Sequence, residues 1–203
     1  TLDALVRDLL AHRQGARSGR APLGVVQRLD KGTSGLLVFA RTLAAKKHLG
    51  QQLRFHTMHR RYLAIVNGVP RAHEGKIDAP LARSTANRKK IAIVEGSRGK
   101  RAVTHWRRIE ALRDASLVEC RLETGRTHQV RVHMASIGHP LVGDPVYGRS
   151  GKTHGKILKE LQFHRQALHA AELGFTHPVT KRLLSFASAM PPDMQELFDA
   201  LGV

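Results

Sequence analysis

The amino-acid sequence predicts an α+β domain with a mixed or antiparallel sheet. Predicted strands outnumber predicted helices, and they do not alternate with helices as strictly as a parallel sheet of βαβ units requires. The chain has 203 residues, a length that suits one domain and buries roughly 70% of the surface of its unfolded chain. Because we find neither an internal repeat nor a low-complexity linker, we expect residues 1–203 to form a single domain.

Composition excludes several classes of protein. Apolar residues make up 41% of the chain, which is too many for a disordered protein, and no apolar run approaches the ~18 residues of a membrane span. The single cysteine, Cys120, excludes a disulfide framework and a CxxC zinc site. The first ten residues lack the apolar segment of a signal peptide. We therefore expect a cytoplasmic protein that does not contact a membrane.

The charge indicates a polyanionic partner. The chain carries 34 Lys and Arg against 16 Asp and Glu, a formal net charge of +18. A field of this sign attracts nucleic acid. Since only 4% of the residues are aromatic, we expect binding through phosphate contacts rather than through extensive base stacking. A basic surface without any chemistry is the alternative interpretation.

Asp30 is the most conspicuous candidate for chemistry. It is the only acidic residue between Leu9 and His73, a stretch rich in Lys and Arg, and this positive charge favours the ionised carboxylate. The turn-forming residues 32–35 follow it, and the apolar run 36–40 predicts a buried strand. Asp30 is thus expected on a loop held by a rigid sheet. A structural aspartate paired with one arginine is the alternative.

The elements that follow Asp30 are predicted from local signals. Thr42 is expected to cap a helix that ends near Arg54. Residues 60–66, which include Tyr62, predict a strand closed by an Asn-Gly turn. Residues 91–94 and 102–109 predict a hairpin with basic ends, which is either a solvated edge or a surface that follows a phosphate backbone.

The second half of the chain predicts three further strands and two helices. Residues 117–122 predict a strand that leads to Arg126 and to a helix capped by Thr127. His128 and His133 are five residues apart, a spacing that does not form a metal pair on a helix, and we interpret both as structural or hydrogen-bonding residues. Residues 168–175 and 183–187 predict two strands, and a helix follows Pro191-Pro192.

Four motifs in this order resemble the RluA-type RNA pseudouridine synthases. They cover most of the chain, from about Gly24 to Leu197, and four ordered motifs of this length are highly specific. The matching segments are RLDKGTSGL at 28–36, RRYLAIVNG at 60–68, TGRTHQVRVH at 124–133 with its continuation GHP and GD at 138–144, and LHA with FTHP at 168–178.

The resemblance implies the pseudouridine synthase catalytic-domain fold, with a central mixed and largely antiparallel sheet flanked by helices and loops. It also implies isomerisation of uridine to pseudouridine in ribosomal or transfer RNA by base flipping, without a cofactor or metal. We further expect the protein to be a monomer. Asp30 would be the catalytic nucleophile or base, and Arg126 would pair with it. Tyr62 would pack against the flipped base, and Arg28 would replace that base in the RNA stack.

The resemblance and the basic segments together give the remaining candidate residues. We expect further RNA contacts from five basic side chains: Lys31, Arg60, Arg88, Lys89 and Lys90.

Two features depart from the family. Gln27 stands where a histidine is usual, and we expect the family's first strand and a separate N-terminal RNA-binding domain to be missing upstream of Thr1.

Two other functions are weighed against this one. A catalytically silent RNA-binding or ribosome-assembly protein could keep the same fold. A metal hydrolase that uses some of the 13 histidines is weakly supported, because the sequence has neither an HxH nor an HExxH spacing.

Overall fold

A mixed seven-stranded sheet organises the chain in our computed structural model, which describes residues 2–13, 23–87, 90–148 and 153–202. Within these ranges the α-helices are α1 (Leu2–Arg13), α2 (Leu43–Arg54), α3 (Gln129–Ser136), α4 (Gly155–Glu160) and α5 (Pro192–Gly202). The strands are β1 (Gly24–Val25), β2 (Ser34–Gly35), β3 (Phe39–Ala40), β4 (His59–Asn67), β5 (Glu74–Asp78), β6 (Leu81–Arg83), β7 (Ile91–Ile93), β8 (Val103–Leu112), β9 (Ala115–Leu122), β10 (Leu168–Thr176) and β11 (Leu183–Ala187).

The main sheet is largely antiparallel, as predicted. Its strand order is β11-β10-β4-β9-β8-β5, and every pair in this series is antiparallel. The short strand β2 adds to β10 in the parallel direction, which makes the sheet mixed. Two small two-stranded sheets, β1-β3 and β6-β7, stand beside it. The predicted α+β class with a mixed sheet is therefore confirmed.

The two faces of the sheet bury different layers of helices. Side chains alternate between faces along a strand, so Ala64 and Val66 of β4 belong to one apolar cluster and Ile65 belongs to another. Helix α3 covers the first face through Val130 and Met134. Helix α5 covers part of the second face through three buried side chains, those of Met194, Leu197 and Leu201. None of the described helices is long and apolar enough to cross a membrane.

The part of the second face that α5 leaves open carries a cluster of charges, which we call the outer cluster. Its members are Arg61, Arg107, Glu119, Arg121 and Glu172. Glu119 lies at its centre with a side chain only 6% exposed, and its carboxylate lies 3.0–3.5 Å from all three guanidinium groups. The arginines of this face are thus paired with acids.

Several elements agree with the predictions made from local signals. Thr42 caps α2, since its Oγ1 accepts a hydrogen bond from the amide of Ala45 at 3.1 Å. The predicted strands at 60–66, 117–122, 168–175 and 183–187 correspond to β4, β9, β10 and β11. The predicted C-terminal helix corresponds to α5.

Two predictions about strands are wrong. The continuous strand expected at 36–40 is replaced by β2 and β3, which have two residues each, because the chain leaves β10 after Leu36 donates its amide to Ala170. The expected hairpin is absent among the described residues, since β7 pairs with β6 while β8 pairs with β5 and β9. The partner of β2 is β10, which lies far away in sequence, and the partner of β7 is β6, a strand too short to recognise from the sequence.

Candidate active site

A pocket of about 490 Å³ lies between the loop that carries Asp30, strand β4 and the start of α3. Its volume is typical of sites that hold small molecules or single nucleotides. Of the described side chains that line it, Asp30 is the only acid. Five others are arginines, namely Arg28, Arg54, Arg60, Arg126 and Arg131. We call this set of residues the basic pocket.

The loop that carries Asp30 is held by hydrogen bonds on several sides. The amide of Thr33 donates to the carbonyl of Asp30 at 2.9 Å, and Gly32 allows this turn because its φ is +85°. The side chain of Gln166 donates to the carbonyl of Lys31 and to the hydroxyl of Thr33, both at 2.9 Å. The guanidinium of Arg165 donates to the carbonyl of Gly32 at 3.0 Å. The loop is therefore fixed before any ligand binds.

The exit of the same loop is clamped against β10. Gly35 has a φ of +111°, and a Cβ built at this position would overlap the carbonyl of Ala170. Only glycine therefore lets the loop approach the sheet this closely. The hydroxyl of Ser34 lies 2.9 Å from Nδ1 of His169 and adds a side-chain link between β2 and β10.

Arg131, and not Arg126, pairs with Asp30. Nη1 of Arg131 donates to Oδ2 of Asp30 at 3.2 Å, whereas Nε of Arg126 donates to the carbonyl of Arg101 at 3.0 Å. The predicted ion pair between Arg126 and Asp30 is therefore wrong. Arg126 is exposed and lies on the wall of the basic pocket.

The start of α3 explains which arginine reaches the carboxylate. His128 has a φ of +55° and precedes the first helical residue without a capping hydrogen bond from its side chain, so the predicted cap by Thr127 is wrong. The side chain of Gln129 accepts hydrogen bonds from the amide of Arg126 at 3.0 Å and from the hydroxyl of Thr124 at 2.7 Å. This arrangement determines which residues of α3 face the pocket, and it directs Arg131 toward Asp30.

Arg131 is itself held by a buried carboxylate. Its Nε and Nη2 donate to the two carboxylate oxygens of Asp144 at 2.7 and 2.9 Å, and the Asp144 side chain is 0% exposed. Burial alone would raise the pKa of Asp144, but hydrogen bonds from Arg131 and two backbone amides outweigh it and leave that pKa below its usual value. Burial likewise opposes the charge of Arg131, yet its bonds to the carboxylates raise its pKa. Both groups therefore stay ionised.

One oxygen of Asp30 remains available. Arg131 and His128 both approach Oδ2, with Nε2 of His128 at 3.9 Å. No hydrogen bond from another described residue reaches Oδ1. The Asp30 side chain is 14% exposed, and it lines the basic pocket. A ligand in the pocket can therefore meet Oδ1 while Oδ2 is held in place.

Tyr147 sets the orientation of the His128 ring. The Tyr147 hydroxyl accepts the amide hydrogen of Ile91 at 2.8 Å and lies 2.8 Å from Nδ1 of His128. We assign the hydroxyl hydrogen to Nδ1, which leaves the hydrogen of Nε2 directed at Asp30. Burial lowers the pKa of His128 despite the nearby Asp30 carboxylate, so the ring is neutral at pH 7. The sequence interpretation as a hydrogen-bonding residue holds, but it missed the place of His128 in the pocket.

Tyr62 reaches the same pocket from β4. It is half-buried and lines the wall together with Leu168 and Val130. Burial raises the pKa of its hydroxyl, which therefore stays protonated at neutral pH. Among the described residues, no group of three or more His, Cys, Asp or Glu side chains is arranged to hold a metal ion.

Residues 5–136 match the family model described as RNA pseudouridylate synthase. The chain belongs to this family. It is 57% identical over 204 residues to "Ribosomal large subunit pseudouridine synthase D" of Zymomonas mobilis subsp. mobilis. The aligned region covers 99% of this chain and 64% of that protein. It is 46% identical over 178 residues to the protein of the same name in Nitrosomonas europaea, and this aligned region covers 88% of this chain and 51% of that protein. The chain thus spans between half and two thirds of the length of these relatives.

Solved structures share the fold. "Human RNA Pseudouridylate Synthase Domain Containing 4" superposes with a TM-score of 0.78 over 97% of this chain and 82% of that chain, at 23% identity. "Human RNA Pseudouridylate Synthase Domain Containing 1" gives a TM-score of 0.73 over 99% and 86%, at 24% identity. The fold predicted from the four motifs is therefore confirmed.

The residues predicted to bind RNA fall in different places. Arg28 is exposed on the rim of the basic pocket, and Lys31 is exposed beside it. Lys90 is exposed just before β7, whereas Arg88 and Lys89 lie outside the described residues.

Arg60 and Gln27 differ from these surface residues. Arg60 is only 6% exposed and lies in the wall of the pocket, where its Nη2 donates to the carbonyl of Glu123 at 3.1 Å. Gln27, where the resemblance led us to expect a histidine, lines the same pocket. A glutamine keeps the capacity for hydrogen bonding but cannot titrate.

Proposed function

We propose that this chain converts uridine to pseudouridine in ribosomal RNA and that Asp30 is its catalytic carboxylate. One observation carries the proposal: Asp30 is the only described acid in a pocket lined by five arginines, and its Oδ1 is open to a ligand. The names of the relatives, which refer to the ribosomal large subunit, support ribosomal RNA as the substrate.

The reaction requires one well-placed carboxylate. The bond between C1′ of the ribose and N1 of uracil breaks, the base turns within the pocket, and a bond forms between C1′ and C5. The proton leaves C5 and N1 acquires a proton, so the atoms balance without water or an oxidant. Oδ1 of Asp30 either attacks the nucleotide or accepts a proton from its sugar, as carboxylates do in related chemistry. Because no water attacks, a second carboxyl group is not needed.

Arg131 and His128 orient the carboxylate for this step. Nη1 of Arg131 donates to Oδ2, and Nε2 of His128 lies 3.9 Å from the same oxygen, so both groups favour its charge and leave the lone pairs of Oδ1 free. The Arg131 guanidinium cannot swing away, since Asp144 binds it through two hydrogen bonds. Such preorganised charges stabilise a transition state without reorganising during the reaction.

The target base must leave its stack to reach Asp30. Extrusion costs a few kcal/mol, which favours uridines in loops and bulges. Arg28 is exposed at the rim, where its side chain fills the gap that the base leaves. Tyr62 packs against the base inside the pocket, and Leu168 and Val130 add apolar surface. Contacts between the basic pocket and RNA phosphates offset the cost of extrusion.

The proposal is tested on unmodified transcripts of ribosomal RNA. We expect the wild-type chain to produce pseudouridine at one or a few positions, located by sequencing after chemical marking of pseudouridine. The Asp30→Asn variant should bind the transcripts with unchanged affinity and give no product. Product on transfer RNA transcripts alone would contradict the assignment of the substrate. Binding without product by the wild-type chain would indicate a catalytically silent RNA-binding protein instead.

A further inference from the structure

Arg60 is a buried cation without an anionic partner. Its side chain is 6% exposed, and its only hydrogen bonds run from Nη2 to the carbonyls of Leu122 at 3.5 Å and Glu123 at 3.1 Å. Nε and Nη1 have no acceptor among the described residues, and no described carboxylate lies within 4.0 Å. A buried charge is normally paired, because leaving it unpaired is costly. The guanidinium therefore has unused capacity for an anion.

The next residue in the chain is an arginine with carboxylate partners, although its Nε, like that of Arg60, has no acceptor among the described residues. Arg61 points to the opposite face of β4, where it donates to Glu119 at 3.2 Å and to Glu172 at 2.6 Å. Its hydrogen bonds to these carboxylates raise its pKa, whereas burial lowers the pKa of Arg60. Two arginines adjacent in sequence thus have opposite electrostatic surroundings.

Arg60 lies at the wall of the basic pocket. The residue lines the pocket together with Tyr62 and Arg126. Gly125 lies directly over the guanidinium, and a Cβ built there would overlap Nη1. Only a glycine at this position leaves room for the guanidinium beneath the loop that precedes α3. The loop and the arginine are therefore fitted to each other at the place where a ligand enters.

We propose that Arg60 is a binding site for a phosphodiester group of the RNA strand beside the nucleotide that reaches Asp30. This inference rests on the proposed function, since it assumes that RNA occupies the basic pocket. A phosphodiester supplies the missing negative charge, which a base carbonyl or a ribose hydroxyl does not. The free Nη1 donor of the charged guanidinium can bind one phosphate oxygen through a charge-assisted hydrogen bond. Exposed arginines steer the RNA toward the pocket, and Arg60 fixes the backbone inside it.

The test compares Arg60→Gln with Arg61→Gln, a matched pair that removes one arginine from each face of β4. RNA affinity is measured from 50 to 300 mM potassium chloride. Loss of one phosphate contact lowers the slope of log affinity against log salt by about 0.7. We expect Arg60→Gln to show this change together with roughly tenfold weaker binding. Arg61→Gln should keep the slope. A wild-type slope in Arg60→Gln would overturn the proposal.

A second variant covers the case in which Arg60→Gln does not fold, which circular dichroism and thermal unfolding would reveal. Gly125→Ala keeps every charge but forces Nη1 away from its place beneath the loop. The displacement is cheap for stability because the far end of a flexible side chain moves. We expect Gly125→Ala to unfold at the wild-type temperature and to bind RNA more weakly. Wild-type RNA affinity in this variant would count against the phosphate site.

Two further readouts separate this proposal from its alternatives. Thermal unfolding in sodium phosphate and in sodium chloride of equal ionic strength measures binding of free phosphate. If phosphate stabilises the wild type but not Arg60→Gln, while the salt slope for RNA is the same in both, the site takes free phosphate and the proposal is wrong. Pseudouridine formation by the wild type is measured in parallel. Its absence would refute the proposed function, whereas an unchanged slope with product present would refute the Arg60 site alone.

Discussion

The basic pocket and the outer cluster lie on opposite faces of one sheet and use arginine in opposite ways. In the outer cluster, three arginines surround Glu119, and Arg61 also binds Glu172. Five arginines line the pocket, where Asp30 is the only described acid. Arg131 pairs with Asp30 and with the buried Asp144, and the other four have no carboxylate partner among the described residues. Paired arginines stabilise the sheet, and unpaired ones remain available to phosphate groups. The net charge of +18 therefore does not single out a candidate surface for RNA, but the distribution of acids points to the basic pocket.

The alternation of β4 creates this contrast. Arg60 and Tyr62 face the pocket, and Arg61 between them faces the outer cluster. A shift of one residue in the register would exchange their environments. The bulge in β10 between Ala170 and Glu172 lets Glu172 pair with Arg61 in this register.

The largest effect on stability is expected from Arg131→Met. The substitution leaves the buried carboxylate of Asp144 without its partner, a change that costs about 3–5 kcal/mol in comparable buried pairs. Arg126→Gln removes an exposed arginine from the same motif and should cost less than about 0.5 kcal/mol. Urea unfolding of both variants measures the difference. Equal losses of stability would contradict the assignment of Arg131 as the partner of the buried Asp144.

A smaller loss is expected from Glu119→Gln on the outer face. Three arginines lose the carboxylate that they share. Because two of them, Arg107 and Arg121, are about half exposed, water can replace that contact, and we expect a loss of about 1–3 kcal/mol in the free energy of unfolding. Pseudouridine formation per folded molecule should not change, because the outer cluster is separated from the pocket by the sheet. A large loss of product in a folded Glu119→Gln protein would show that the two faces are coupled.

His128→Asn tests the pocket without disturbing its backbone. Asparagine tolerates the left-handed conformation of this position, but its side chain is too short to reach Oδ2 of Asp30. We expect a single-turnover rate about tenfold lower at unchanged RNA affinity, equivalent to about 1.4 kcal/mol. His128→Gln, whose longer side chain restores a donor, should recover part of the rate. Equal rates in the wild type and both variants would remove His128 from the mechanism.

The last effect is a dependence of stability on pH that arises from two buried histidines. Burial lowers the pKa of His133 and of His169. Unfolded histidines take up protons below about pH 6.5, and these folded ones do so only at lower pH. Stability is therefore complete above that pH and falls as the solution is acidified, by up to about 1.4 kcal/mol per unit for each group.

Urea unfolding at pH 7.5 and pH 5.5 measures this dependence. Carboxylates with lowered pKa values, such as Asp144, lose their contribution only in more acidic solution, so the histidines dominate this window. His133→Gln should reduce the difference between the two pH values. Stability that rises on acidification would contradict the burial of neutral histidines.

Local signals in the sequence predicted much of the fold. The cap at Thr42, the apolar runs of β9 and β10, and the spacing of Met194, Leu197 and Leu201 each specify an element without reference to distant residues. The pairing of β7 with β6 was missed because it depends on a partner of three residues. Only contact with β10 distinguishes β2 from the rest of its loop.

Only part of the candidate site was predicted, again because the rest depends on contacts that local signals in the sequence do not show. The acid-poor stretch pointed to Asp30, and the resemblance added Tyr62. The choice between Arg126 and Arg131 depends on the conformation of His128 and on the hydrogen bonds of Gln129, neither of which a motif displays. One signal was present: Asp144 follows in the same motif and requires a cationic partner if it is buried.

The measurement that tests the account most directly is the release of tritium from RNA labelled at uridine C5, compared between Asp30→Asn and Glu119→Gln. Both variants neutralise a carboxylate that contacts arginine, one in each region. We predict that Asp30→Asn lowers the rate of release by at least about 10²–10⁴-fold while RNA affinity is kept, and that folded Glu119→Gln releases tritium at the wild-type rate. Release at the wild-type rate by Asp30→Asn would show that the lone acid of the basic pocket is not the catalytic group.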